Sequence, residues 1–504
     1  MARTRYLNVL SLLCLALLFS GQTTGQEMAL PSVQPADSAP PAISVDAANF
    51  ELQEVSERLA EPYTIDLLPE SVEEIPTDVD TSAEATQLQP EPGAPRWGRK
   101  TLTGDTFNRL YSTRESGFSF GGRVTQFGFG IAGGIDRPVP SPLGEGNTFK
   151  YTGRSEYDLL LDLEKWGGPA KGRLLVRAEH WYGEYGSVSL RAGTFTPSVF
   201  PALLPPRPND PGVPYITNFL FTQPLSSKWI VFAGKKDVLG SLDQDIFAGG
   251  DGTDQFVNQA LIANPAFLLG MPYSSFTAGF VSTRKWGGFG GFVYDPKNRT
   301  ADFMQFSDLF AQGIIVGGEI KCRTNFFDLP GQQHLGAIWK HDQQNDLRFS
   351  LLVPGGSYDN PDSKSPSLWN SYTIYYGLDQ YLFRFTQKPD RGWGIFSRAA
   401  ITDGNPNPVR YFLSAGLGGF SPLGQRRGDT FGAGWFLVGA SDQFGPVPNA
   451  IFGPRNGLGV ELFYNYQAKP WLNITPDLQW LRPGMSNLAT DNAFVYGVRI
   501  NLTF

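Results

Sequence analysis

The chain has 504 residues and a net charge of -7, and its 41% hydrophobic content holds no run of about 20 apolar residues, which excludes a bundle of transmembrane helices. The 58 Gly and 39 Pro, beside 38 Phe, 19 Tyr and 11 Trp, favour strands and tight turns over helices. With Cys14 and Cys322 as its two cysteines, and Cys14 inside a leader that is removed, the mature chain cannot build a disulfide scaffold or a thiolate zinc site.

Residues 1–25 start with Arg3 and Arg5, continue through an apolar stretch at 7–19 and end in small or polar residues, as a secretory signal peptide does. Leu12 and Leu13 stand before Cys14 where a lipobox needs small residues, which argues against lipidation. Residues 26–95 carry fifteen acidic residues against one basic residue, Arg58, and only Phe50 and Tyr63 as aromatics. They read as a disordered, Pro-rich acidic extension. The rest, 96–504, is left with a charge of about +5, too weakly basic for nucleic acid to be a partner.

Beyond Trp97 the pattern is alternation. In the last segment Phe494, Tyr496, Val498, Ile500, Leu502 and Phe504 fall on one face, while Gly497, Arg499, Asn501 and Thr503 fall on the other. A period of two with one apolar face is a strand. The same dyad runs through 458–467 and 472–480, and such segments of about ten residues separated by turns carry the signature of a transmembrane β-barrel. A soluble sandwich also alternates. The aromatic last residue and the clusters Trp369, Tyr372, Tyr375, Tyr376 and Trp435, Phe436 at segment ends favour the membrane. About nineteen segments from 118 onward read as strands. Since single-chain bacterial barrels have even strand numbers, the expectation is an all-β, antiparallel barrel of about 16 strands over 96–504. The stretches 201–214 and 241–272 read as long loops.

Familiar chemical motifs fail their structural tests. Gly117, Ser119 and Gly121 match a nucleophile elbow, but the alternation continues through Thr125 with no helix after it. Gly128, Gly130 and Gly133 match a dinucleotide loop, yet Pro138 follows where a helix would have to open. His180, His334 and His341 show no metal-ligand spacing, and Asp251 with Asp254 lacks the later glutamate of a calcium loop. Neither a catalytic centre nor a metal or cofactor site is expected.

Charges on inward faces are more telling. Bulky Ile230 and Phe232 are taken to mark the lipid side, so that Lys235 and Asp237 point inward with Val231 and Ala233. Arg384, Arg398, Glu461, Asp477 and Arg499 follow the same logic, and Arg177 shares a face with Glu179. Mixed charge inside a barrel means a water-filled lumen.

The run 232–239 with Asp243, Phe247 to Gly250 and Phe256 to Asn258 resembles the central motif of the OprB-type carbohydrate-selective porins. So do Phe396 to Arg398, Asp403 to Asn405, Arg427 with Gly428 to Gly432, Glu461 with Tyr464 and Tyr466, Pro476 to Gln479, and Pro483-Gly484. Leu102 to Asp105 is similar to the family's opening motif, although Thr106, Phe107 and Asn108 stand where Trp-Gly-Gly is expected. The resemblance implies an outer-membrane porin for passive diffusion of small sugars, with no cofactor, surrounded by outer-membrane lipid and inserted by the barrel-assembly machinery. It leaves a homo-oligomer open. A sugar hydroxyl both donates and accepts, so a constriction that selects sugars presents both charge signs. The candidate set is Lys235, Asp237, Arg384, Arg398, Arg427 and Glu461, with 241–272 as the loop that folds inward. The competing class is a secreted or periplasmic all-β carbohydrate-binding protein or glycoside hydrolase.

Overall fold

The computed structural model describes residues 116–135, 149–183, 187–200, 214–239, 242–349, 366–385, 388–423, 428–487 and 491–504. The signal peptide, the acidic extension, residues 96–115, loop residues 201–213 and Arg427 lie outside them.

Sixteen strands among the described residues form one closed antiparallel barrel. They are β1 (Phe118–Ala132), β2 (Phe149–Asp162), β3 (Arg173–Gly183), β4 (Tyr215–Ser226), β5 (Trp229–Asp237), β6 (Ser274–Arg284), β7 (Gly287–Tyr294), β8 (Gly313–Phe326), β9 (Leu329–Asn345), β10 (Ser367–Phe385), β11 (Lys388–Thr402), β12 (Val409–Phe420), β13 (Thr430–Ala440), β14 (Gly457–Lys469), β15 (Leu472–Arg482) and β16 (Ala493–Thr503). Each strand pairs with its chain neighbours, and β1 pairs with β16 to close the wall, so no edge is left to recruit another chain. Connections are short at one end, such as 285–286 and 327–328, and long at the other, such as 238–273 and 295–312. At 327–328 both Phe327 and Asp328 have positive φ, 58° and 59°, which suits the twist of a two-residue hairpin.

The alternation read from sequence is the division between outside and inside. In β16, Phe494, Tyr496, Val498 and Ile500 are 37–44% exposed on the outer face, whereas Val495, Arg499 and Asn501 are buried within. In β15, Leu478 and Trp480 are exposed while Asp477 and Gln479 are buried. A soluble sandwich would hide these apolar rows between sheets; a barrel in lipid leaves them outside.

Many inward aromatic rings lie flat across glycines of the neighbouring strand. A methyl group on Gly416 would sit 2.6 Å from the Phe396 ring, and one on Gly497 would sit 2.5 Å from Phe129. Each glycine is the direct cross-strand partner of its ring. This contact accounts for part of the joint abundance of glycine and aromatics, since the ring covers backbone that glycine leaves bare.

One face assignment from sequence is reversed. Tyr294 and Phe292 pair with Ile315 and Gly317, on the same face of β8 as Glu319, whose carboxylate reaches a residue inside the barrel, Asp243. Following the pairing from Tyr294 and Phe292 to Thr277 and Gly279, and on to Gly234 and Phe232, turns Ile230 and Phe232 inward. Trp229, Val231, Ala233 and Lys235 then face outward. The cause is an apolar patch on the inner wall, where Leu175, Leu220 and Phe232 pack with Leu160, Val281 and Phe292. Bulk therefore does not distinguish lipid from lumen in this strand.

Candidate functional site

The connection between β5 and β6 folds into the barrel, as its length and composition suggested. Its two short helices, Gln259–Ile262 and Pro265–Leu268, are capped by Asn258 and Asn264, whose side chains accept the N–H groups of Ala260 and Ala266 at 3.0 Å. Phe247, Phe256, Leu261, Ile262 and Phe267 are buried. Their rings meet inward rings of the wall: Phe247 with Tyr381 at 4.8 Å, Phe256 with Phe463 at 4.9 Å and Phe267 with Tyr375 at 6.1 Å between centroids.

A loop inside a barrel must find partners for its backbone polar groups. The wall supplies them. Glu461 on β14 accepts the N–H groups of Val257 and Asn258 at 2.6 and 3.0 Å. Arg499 on β16 donates to the carbonyls of Gly252 and Gln255 at 2.9 and 2.6 Å, and Asn501 donates to that of Thr253 at 3.1 Å. On β8, Glu319 accepts the N–H of Asp243 at 2.9 Å. Arg398 on β11 pairs with Asp245 and donates to the carbonyl of Leu261 at 3.2 Å, while His334 on β9 lies 3.1 Å from Asp243. Segment 187–200 also joins: the N–H of Phe200 donates to the Val257 carbonyl at 2.9 Å, and that of Gln259 to the Pro197 carbonyl at 3.0 Å.

Against this loop, the inner faces of β1 to β3 carry a girdle of both charge signs. Arg154 Nη2 lies 3.0 Å from Glu179 and 3.2 Å from Glu156. Arg123 pairs with Glu156 and with Asp251 of the loop, and Arg177 pairs with Asp158 at 2.7 Å. Tyr273, at the end of the loop, donates to Glu179 at 2.8 Å, with Trp181 edge-on at 6.0 Å. Burial of so many charges is tolerable because each is paired. The girdle reaches water through Asp158, Asp251 and Arg177, whose side chains are 15%, 14% and 10% exposed, while Arg154 and Glu179 behind them are closed off. On β8, Lys321, with 30% exposure, donates to the Gln244 carbonyl at 3.2 Å. Nothing here resembles a nucleophile with its base; the arrangement orders hydrogen-bond donors and acceptors along a path.

The sequence-derived candidates are dispersed. Asp237 joins the girdle: its carboxylate accepts from Asn218 at 2.6 Å and lies 3.7 Å from Arg177. Arg398 and Glu461, at 1% and 0% exposure, hold the loop instead of meeting solute. Arg384 lies over the Tyr381 ring at 6.0 Å, two residues before the short connection 386–387 and away from the girdle. Lys235 is corrected outright, since it faces outward, with its Nζ on the carbonyls of Thr300 and Asp302 at 3.4 and 2.8 Å. Arg123, Arg154, Glu156 and Asp158 were missed as site residues. Their signal existed only as a shared inward parity on adjacent strands, and register converts that parity into contact.

A closed sixteen-stranded wall with apolar rows outside, charge inside and a long loop folded into the bore is the architecture of an outer-membrane porin. The family described as carbohydrate-selective porin, OprB family, matches residues 215–504, and the chain belongs to it. Porin B of Pseudomonas aeruginosa is 20% identical over 233 residues, which cover 43% of this chain and 51% of that protein, so the chain spans about half the length of this curated relative. The high-pH structure of Pseudomonas putida OprB superposes with a TM-score of 0.66 at 18% identity, covering 81% of this chain and 99% of that one. At that identity the likeness establishes the fold.

Proposed function

We propose that this protein is a passive outer-membrane channel for small sugars and performs no chemistry on them. The observation that carries the proposal is the loop 242–273, pinned across the lumen beside a girdle that offers carboxylates and guanidinium groups together. Rings of a single sign would favour ions of the opposite sign. Paired signs instead match hydroxyls, which exchange both kinds of hydrogen bond with Asp158, Asp251 and Arg177 as the solute passes. The family's name supports carbohydrate as the solute class. Barrel-assembly machinery and surrounding lipid follow from a strand-built membrane wall. The exposed outer rows count against the soluble carbohydrate-binding or hydrolase reading.

Liposome swelling tests this. Vesicles bearing the purified protein should swell fast in isotonic glucose or xylose and slowly in an oligosaccharide or in an amino acid of comparable mass. Equal rates for neutral amino acid and monosaccharide would refute sugar preference while leaving the channel intact.

A further inference from the structure

Lys235 lies on the outward face of β5 and yet has 0% exposure. Its cover is the connection between β7 and β8. The Lys235 ammonium donates to the carbonyls of Thr300 and Asp302. Its cross-strand partner Phe276 has the Phe306 ring at 4.8 Å and the Arg299 guanidinium at 5.7 Å. Lys235 and Phe276 share one side of the wall, so residues 299–306 lie against the outside of the barrel. The segment is braced by Arg299, which pairs with Asp295 at 2.6 Å and Asp308 at 2.9 Å, and by Lys297, 2.5 Å from Asp308. Its cations are therefore spent inside the strap. What it leaves uncovered is apolar: Phe303 and Leu309 are 63% and 37% exposed, and Phe306, though its ring meets Phe276 of the wall, keeps 54% exposure.

We infer that residues 299–309 form a membrane-seated strap whose partner is lipid, at the boundary between headgroups and acyl chains on the long-loop side of the bilayer. The strap is continuous with the outer row Val231, Ala233, Ala278, Phe280 and Phe289, which is the lipid-facing surface of β5 to β7. Aromatic residues are favoured at that depth. A bare ammonium on a lipid-facing wall is unfavourable unless it is satisfied. The two carbonyls satisfy it, and the exposed apolar side chains of the strap return an apolar surface to the lipid. The strap thus lets a lysine occupy the outer wall.

Site-directed spin labelling of the mature protein, in a Cys322→Ser background reconstituted in phosphatidylcholine vesicles, tests this. Labels replace Phe303 or Leu309 in separate variants, and Asp442, 65% exposed in the loop between β13 and β14, serves as the aqueous reference. The expected result is a ratio of oxygen to water-soluble nickel-chelate collision rates at both strap positions several-fold above that at 442, with no dipolar broadening between copies. Nickel accessibility equal to that at 442 would put the strap in water and overturn the inference. Dipolar broadening would mean that a second copy covers the strap, and would overturn it equally. If the label at 303 lowers the yield of heat-modifiable barrel, the label at 309 decides the question alone.

Discussion

Replacing Glu461 by alanine removes the acceptor for two buried backbone N–H groups of the inner loop, those of Val257 and Asn258 at 2.6 and 3.0 Å. A buried N–H left without its acceptor costs about 1–3 kcal/mol, so with two of them the loop loses about 2–6 kcal/mol of its docking energy. A loss of about 4 kcal/mol multiplies the undocked population roughly a thousandfold, at about 1.4 kcal/mol per decade. Arg499 and Asn501, which grip the same loop at 252–255, remain, so the loop loosens near its helices without leaving the barrel. Planar-bilayer recording should show larger open-channel noise and higher mean conductance in Glu461→Ala, with the Glu461→Gln variant intermediate because one carbonyl oxygen still accepts. Current and noise identical to the unaltered protein in both variants would refute the idea that this carboxylate holds the constriction.

Other parts of the structure yield checks of their own. Ile500→Asp places a carboxylate in the lipid-facing row of β16, between Gln126 and Ile474, at a cost on the order of 1–2 kcal/mol in mid-bilayer, and should lower the yield of heat-modifiable barrel in outer-membrane fractions. Gly416→Ala pushes a methyl group into the Phe396 ring at 2.6 Å, and overpacking of about 1–3 kcal/mol should lower the temperature at which the folded band is lost in detergent gels. At Asp346, hydrogen bonds from the Arg348 side chain and then from Asn405 outweigh burial and hold the carboxyl down at about 2. Its folded value lies below the unfolded one, so the contribution of this tie is complete above about pH 4 and is lost as pH falls through about 2. Hydrogen exchange at the Arg348 amide, which donates to Asp346 at 3.0 Å, should stay protected down to about pH 4 and lose protection toward pH 2; constant protection across that range would contradict it.

Strand identity was legible wherever one face met lipid, because a period of two then appears directly in residue type, as in β14 to β16. It failed for the faces of β5, where Ile230 and Phe232 join an apolar patch inside the lumen and look like lipid-facing residues. The inner loop was legible as a long Pro-, Gly-, Asn- and Asp-rich interval between two strands, and its inward course as an expectation. The girdle was only half legible. Arg177 and Glu179 share a face within one strand, but their partners Asp158 and Arg154 lie on β2, and that pairing depends on a register no local pattern encodes. Arg398 and Glu461 were recognisable as inward charges. That they hold the loop rather than meet solute depends on distant chain, Asp245 and Leu261 for one, Val257 and Asn258 for the other.

A sugar path narrowed by the inner loop and lined by paired charges should show itself in single-channel current in planar bilayers as glucose is added to one side. Current should fall saturably, beyond what the lowered conductivity of the solution produces. Asp158→Asn combined with Arg177→Gln should weaken that block at least several-fold, with a smaller change in current without sugar. A current that tracks bulk conductivity at every glucose concentration, in the unaltered protein and the double variant alike, would contradict it.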